Sequence, residues 1–123
     1  MKIIIAVGIG SFIGGISRYL LSQLIQNKFP SAFPFGTLSV NIIGCFIIGL
    51  MFGFNERNYI SMEWYLFLVM GILGGFTTFS SFSIETIALI RNGQHWLALS
   101  YVSSSIFIGL LATFAGISVI KSF

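Results

Sequence analysis

The sequence predicts an all-α membrane protein of four transmembrane helices, the third of them broken, and three observations carry that fold class. Of its 123 residues, 56% are hydrophobic and 7% are charged, whereas a soluble domain needs about 25% charged residues to cover its surface. The apolar residues gather into four long runs, residues 3–25, 37–54, 64–90 and 96–120. Each is near or above the roughly 17–25 residues that cross a bilayer, the second being marginal by length alone. The third run is too long for one straight crossing and holds the small and hydroxylated residues that permit a break. The connections between the runs, residues 26–36, 55–63 and 91–95, are too short for a soluble domain, so 1–123 reads as a single membrane domain with both termini on one side.

The same composition excludes several functions. A net charge of +3 with no basic run gives no footprint for nucleic acid. The single cysteine, Cys45, lies within an apolar run, which leaves no disulfide framework and no metal cluster and makes it a small packing residue. Lys2 followed by apolar residues imitates a signal peptide, but no A-x-A-like cleavage site follows and the run continues past Arg18, so it reads as the first membrane helix.

The first helix carries Gly8, Gly10, Ser11, Gly14, Gly15 and Ser17, small residues that let helix backbones approach closely in lipid. Arg18 lies inside the span. A cation there either snorkels toward the Lys28 side or faces an aqueous vestibule where it attracts anions. Pro30 and Pro34 bracket a turn, and Gly36-Thr37 opens the second helix. Asn41 within it must find partners, either as glue between helices or with its N–H₂ donating to an anion.

Residues 71–83 are the stretch the chain is organised around: Gly-Ile-Leu-Gly-Gly-Phe-Thr-Thr-Phe-Ser-Ser-Phe-Ser. A continuous helix over 64–90 would be about 40 Å long against about 30 Å of hydrocarbon, so it tilts strongly or breaks. Gly71, Gly74 and Gly75 permit a break, and Thr77, Thr78, Ser80, Ser81 and Ser83 can satisfy the backbone groups it frees. Phe79 and Phe82 stand three apart on one face. They are packing aromatics, or rings whose positive edges solvate a small anion. Trp64 and Tyr65 anchor the start of this run at the interface. Glu85, the only acid inside a span, sits about one turn from its end and reads as structural or vestibule-lining.

In the fourth helix Tyr101, Ser105, Gly109 and Thr113 recur every four residues and form one stripe, suited either to packing or to lining a pathway. Lys2, Arg57 and Lys121 lie on the terminal side and Arg18, Lys28 and Arg91 on the other. Three cations against three give no preferred orientation, which permits an antiparallel pair, and four small helices need a second copy to enclose a pathway.

Three blocks then point to a family. They are Gly14-Gly15-Ile-Ser-Arg18-Tyr19; residues 36–49, with Gly36-Thr37, Asn41, Gly44 and Gly49; and residues 74–83, Gly-Gly-Phe-Thr-Thr-Phe-Ser-Ser-Phe-Ser. Together they resemble the Fluc/CrcB fluoride channels, in order and spacing across the first three helices. The resemblance implies a passive fluoride channel that protects the cell from fluoride toxicity, an antiparallel dual-topology homodimer in the bacterial inner (plasma) membrane, and no enzymatic activity. It further implies that Phe79, Phe82, Asn41, Ser80 and Thr113 line the fluoride pore and that Arg18 lines a vestibule. The carbonyls of Gly74 and Thr77 would hold a structural sodium ion at the dimer centre. Gly109 departs from the pattern, lacking the hydroxyl that would continue a polar track.

The competing reading is a small dual-topology multidrug-type transporter. Proton-coupled export of cations needs an acid near the middle of a helix, and the first helix has none. A purely structural subunit would account for the glycines but not for the clustered Phe, Thr and Ser. An enzyme finds no nucleophile–base pair, with His95 alone in a loop.

Overall fold

The computed structural model describes residues 1–123 and is helical throughout, without strands. Four stretches are long and apolar enough to cross a membrane: Lys2–Lys28, Phe35–Glu56, Met62–Arg91 and His95–Lys121. The first is α1 and the second α2. The third comprises α3 (Met62–Leu66), a π-helical stretch Phe67–Leu73, α4 (Gly74–Phe76) and α5 (Ser80–Arg91). The fourth is α6, His95–Lys121. Each helix runs one to three residues past an apolar boundary read from the sequence, because a polar residue at the interface keeps its helical hydrogen bonds while its side chain reaches water.

Local chemistry sets the ends. Ser61 caps α3, its Oγ accepting the Trp64 N–H at 3.3 Å. After α5 the chain turns at Gly93, whose φ of +78° favours a residue without a Cβ. Between α4 and α5, Thr77 is extended (φ −89°, ψ 158°), so regular helix stops at Phe76 and resumes at Ser80.

The two largest seams join α2 to α6 and α1 to the π-helical stretch and α4. Both are built on backbone meeting backbone. A Cβ on Gly10 would stand 2.9 Å from the Gly71 Cα and from the Phe67 carbonyl oxygen, and one on Gly14 would overlap the Ile72 carbonyl. On the other seam, a Cβ on Gly49 would lie 3.1 Å from the Gly116 Cα. Small residues at helix crossings exchange side-chain volume for close backbone contact.

Gly14→Ala is therefore expected to destabilise the protein by about 1–3 kcal/mol, the usual cost of overpacking. Gly8→Ala, where a Cβ meets nothing within 4 Å, should be neutral. Thermal melting of both variants in one detergent checks this, and equal melting temperatures would refute a packed α1 seam.

Only 18 of 123 residues are buried, so the protein has little interior of its own. Leu89, Ala98 and Tyr101 form the one apolar cluster, with Phe33, Leu38, Phe82 and Leu97 packed around it. The outward surface is Ile, Leu and Phe, suited to lipid.

Candidate functional site

Where the helix stops, several backbone groups lose their usual partners, and a second helix supplies replacements. The Asn41 side chain, projecting from α2, reads Thr78 as a base pair is read. Its Oδ1 accepts the Thr78 N–H at 2.8 Å and its Nδ2 donates to the Thr78 carbonyl at 2.9 Å. The amide carries a second Nδ2 hydrogen that this pairing leaves free. Thr78 Oγ1 accepts the Ser81 N–H at 3.1 Å, capping the start of α5. Arg18, from α1, donates through Nε to the Gly75 carbonyl at 3.2 Å. Thr77 Oγ1 donates back to the Leu73 carbonyl at 3.0 Å.

What remains unpaired divides by sign. The carbonyls of Gly74, Phe76 and Thr77 receive no protein N–H, and the N–H groups of Phe79 and Ser80 find no protein acceptor. The free N–H groups stand at the positive end of the α5 dipole. The break thus offers oxygens suited to a cation and N–H groups suited to an anion within a few residues.

Beside it lies a groove of about 480 Å³ whose lining includes Asn41, Gly74, Thr77, Phe79, Phe82 and Ser105. The Ser105 hydroxyl is buried and without a partner, an unspent donor in a mostly apolar wall. Phe79 is 77% exposed, while Phe82 is half-buried. Their ring centroids are 5.6 Å apart, Phe82 is 5.1 Å from Tyr101, and Tyr101 is 5.6 Å from Phe33 in an edge-to-face arrangement. Four rings therefore run in contact from the break to the loop before α2.

That aromatic series ends at a polar chamber of about 360 Å³ whose lining includes Ser22, Gln23, Gln26, Thr37, Glu85 and Asn92. Glu85 organises it. One carboxylate oxygen accepts the Thr37 hydroxyl at 2.9 Å and the other accepts the Tyr101 hydroxyl at 2.9 Å, tying α2, α5 and α6 together.

The profile of the family described as CrcB-like protein, Camphor Resistance (CrcB), matches residues 5–117. The chain belongs to the CrcB family. It is similar to a Flavobacterium psychrophilum protein named fluoride-specific ion channel FluC, 41% identical over 122 residues covering 98% of each chain. Proteins of the same name from Gloeothece citriformis (44% over 118 residues, 96% of each) and Thermus thermophilus (43% over 116 residues, 94% of this chain and 93% of the relative) are similar over comparable spans.

Of the residues this CrcB chain offered from sequence alone, the groove brings together Asn41, Gly74, Thr77, Phe79 and Phe82. Arg18 reaches the same break from the opposite helix. Ser80 is exposed beside it, its hydroxyl 3.3 Å from that of Thr78. Thr113 lies elsewhere, at the α2–α6 seam, its Oγ1 donating to the carbonyls of Cys45 (3.1 Å) and Gly109 (3.2 Å). A Cβ on Gly109 would stand 3.5 Å from Cys45 Sγ, ordinary contact, so the cysteine occupies the space opposite the missing hydroxyl. The Thr37–Glu85–Tyr101 network was not legible as a unit. A carboxylate inside a span was the available signal, but its partners lie 48 and 16 residues away in sequence.

Proposed function

We propose that this chain is a fluoride-selective channel that lets cytoplasmic fluoride leave passively. Membership in the CrcB family and full-length similarity to proteins named fluoride-specific ion channels support the reaction. The observation that carries the mechanism is the groove that sets Phe79, Phe82, the free Asn41 hydrogen and the unpaired Ser105 hydroxyl on one side of the break. Fluoride is small and strongly hydrated, so a selective path must replace its water with donors while staying narrow. Ring edges, an amide and hydroxyls provide partial positive charge without a fixed cation that would hold the ion too tightly to release it. At the far end Glu85 keeps the Tyr101 and Thr37 hydroxyls in fixed positions, and Arg18 near the break provides the attraction that gathers anions. An ion-transport role is supported over enzymatic chemistry by the same relatives. No acid stands mid-span in α1 to drive a proton-coupled multidrug cycle.

The working unit in this reading is an antiparallel homodimer in the inner membrane of a bacterium. Two features favour it: the even distribution of cations between the two sides, and the exposure of Phe79 and Gly74, which leaves the groove open until a second copy covers it. The carbonyls of Gly74 and Thr77, which lack N–H donors, fit a hard cation that prefers neutral oxygen ligands. They would hold a structural sodium ion at the centre, two oxygens from each copy, where its charge would offset the converging carbonyl dipoles. Sodium-free buffer should then lower the melting temperature of the assembly, and no change would remove the ion from the proposal.

The reaction itself is tested by reconstituting the protein in liposomes and following efflux with a fluoride electrode. Rapid fluoride efflux with chloride retained is the expected result; efflux no faster than from protein-free liposomes would refute the function. A C-terminal reporter should read both compartments, and a signal from one alone would refute the antiparallel pair.

A further inference from the structure

We infer that Gln26 is a positioning residue for the outer end of the permeation path, acting through Phe33 and the start of α2; this rests on the channel reading above. Gln26 sits in the last two turns of α1, and nearly the whole hydrogen-bonding capacity of its amide is spent on the loop that follows. Nε2 donates to the Ser31 carbonyl at 3.1 Å and to the Phe33 carbonyl at 3.2 Å, while Oε1 accepts the Gly36 N–H at 2.9 Å. The last of these is a helix cap delivered from another helix. Pro34 precedes α2 and offers no side-chain cap, and Gly36 is among the first residues of α2, whose N–H groups have no intrahelical acceptor.

Two groups of the path depend on that loop. Phe33 presents its ring edge-to-face to Tyr101, whose hydroxyl holds one oxygen of Glu85. Thr37 is the next residue after Gly36, and its hydroxyl holds the other oxygen. Gln26 also lines the polar chamber onto which Thr37 and Glu85 open. One amide therefore fixes both sides of the Glu85 carboxylate without touching it. A glutamine has the required geometry and a glutamate does not. With a carboxylate in the same shape, the Gly36 N–H keeps an acceptor, but the second oxygen faces two carbonyls and repels them.

The experiment measures fluoride efflux from liposomes for wild type, Gln26→Glu, Phe33→Leu and the double variant, with melting temperature and assembly state measured on each. Gln26→Glu is expected to slow efflux about tenfold while assembling as wild type does, the loss of the donor to the half-buried Phe33 carbonyl being of that order. On the Phe33→Leu background the same change should add less than twofold, since two residues acting through one contact do not add. If Gln26→Glu does not fold, Gln26→Met, equal in length and uncharged, takes its place with the same expectation. Efflux within twofold of wild type, multiplicative losses in the double variant, or failure of both substitutions to fold would each overturn the proposal. Absence of efflux from the wild type would instead overturn the channel reading.

Discussion

Phe82→Ile is expected to cut fluoride efflux about a hundredfold in protein that still assembles, the typical loss when a preorganised group aimed at charge is deleted from a water-poor site. Isoleucine keeps the wall apolar but removes the ring's positive edge. Phe79→Ile should reduce efflux comparably, yet the two should differ in stability. Phe82 packs between Phe79 and Tyr101 at centroid distances of 5.6 and 5.1 Å, so its loss disturbs the one apolar cluster and should lower stability by about 1 kcal/mol. Phe79 is mostly exposed in the single chain, and its loss should leave the melting temperature of that chain nearly unchanged. Met or Tyr at either position should retain part of the efflux, being polarisable or keeping a ring. Undiminished efflux in both Ile variants would remove the ring edges from the mechanism while leaving a fluoride channel to be explained otherwise.

Asn41→Asp should be as damaging, for two separable reasons. The change is isosteric, so the Thr78 N–H keeps its acceptor, but the Thr78 carbonyl loses its donor and meets a second oxygen. An unsatisfied polar group in that position costs about 1–3 kcal/mol. The new negative charge would also line the groove and repel an anion in a medium that screens poorly. Efflux should fall at least about a hundredfold and the melting temperature should drop as well. Asn41→Leu, which removes both hydrogen bonds and adds no charge, separates the effects: a comparable melting temperature with higher efflux than Asn41→Asp is expected. If Asn41→Asp conducted within twofold of wild type and melted normally, Asn41 would have no part in the path or the break.

The four apolar spans and the family were legible in the sequence. Each rests on quantities that do not depend on how the chain folds back on itself. Hydrocarbon thickness sets the length of an apolar run, and the scarcity of charge follows from facing lipid. The clustered glycines and hydroxyls of residues 71–83 likewise announced an irregular helix, because lipid tolerates unpaired backbone only where such residues are at hand.

The roles of individual polar residues were not legible, because they turn on which donor meets which acceptor across helices. Asn41 offered two readings from sequence, helix glue or anion donor. The geometry allows both at once, since one Nδ2 hydrogen is spent on Thr78 and the other is free. The four-residue stripe of α6 looked uniform by periodicity, but a helix 27 residues long crosses more than one neighbour. Tyr101 meets Glu85, Ser105 lines the groove, and Thr113 spends its hydroxyl on the carbonyls of Cys45 and Gly109. Gln26 carried no signal at all, being one amide in a polar turn until the loop folds back over it. By itself the sequence determined that this chain lives in a membrane, which four stretches are long enough to cross it and to which family it belongs, the first two from hydrophobic length and composition and the last from three short motifs in fixed order. Only the tertiary structure decided which hydroxyls and amides are spent on backbone and which remain free to meet an ion, since a hydrogen bond is settled by position and direction in space rather than by residue type.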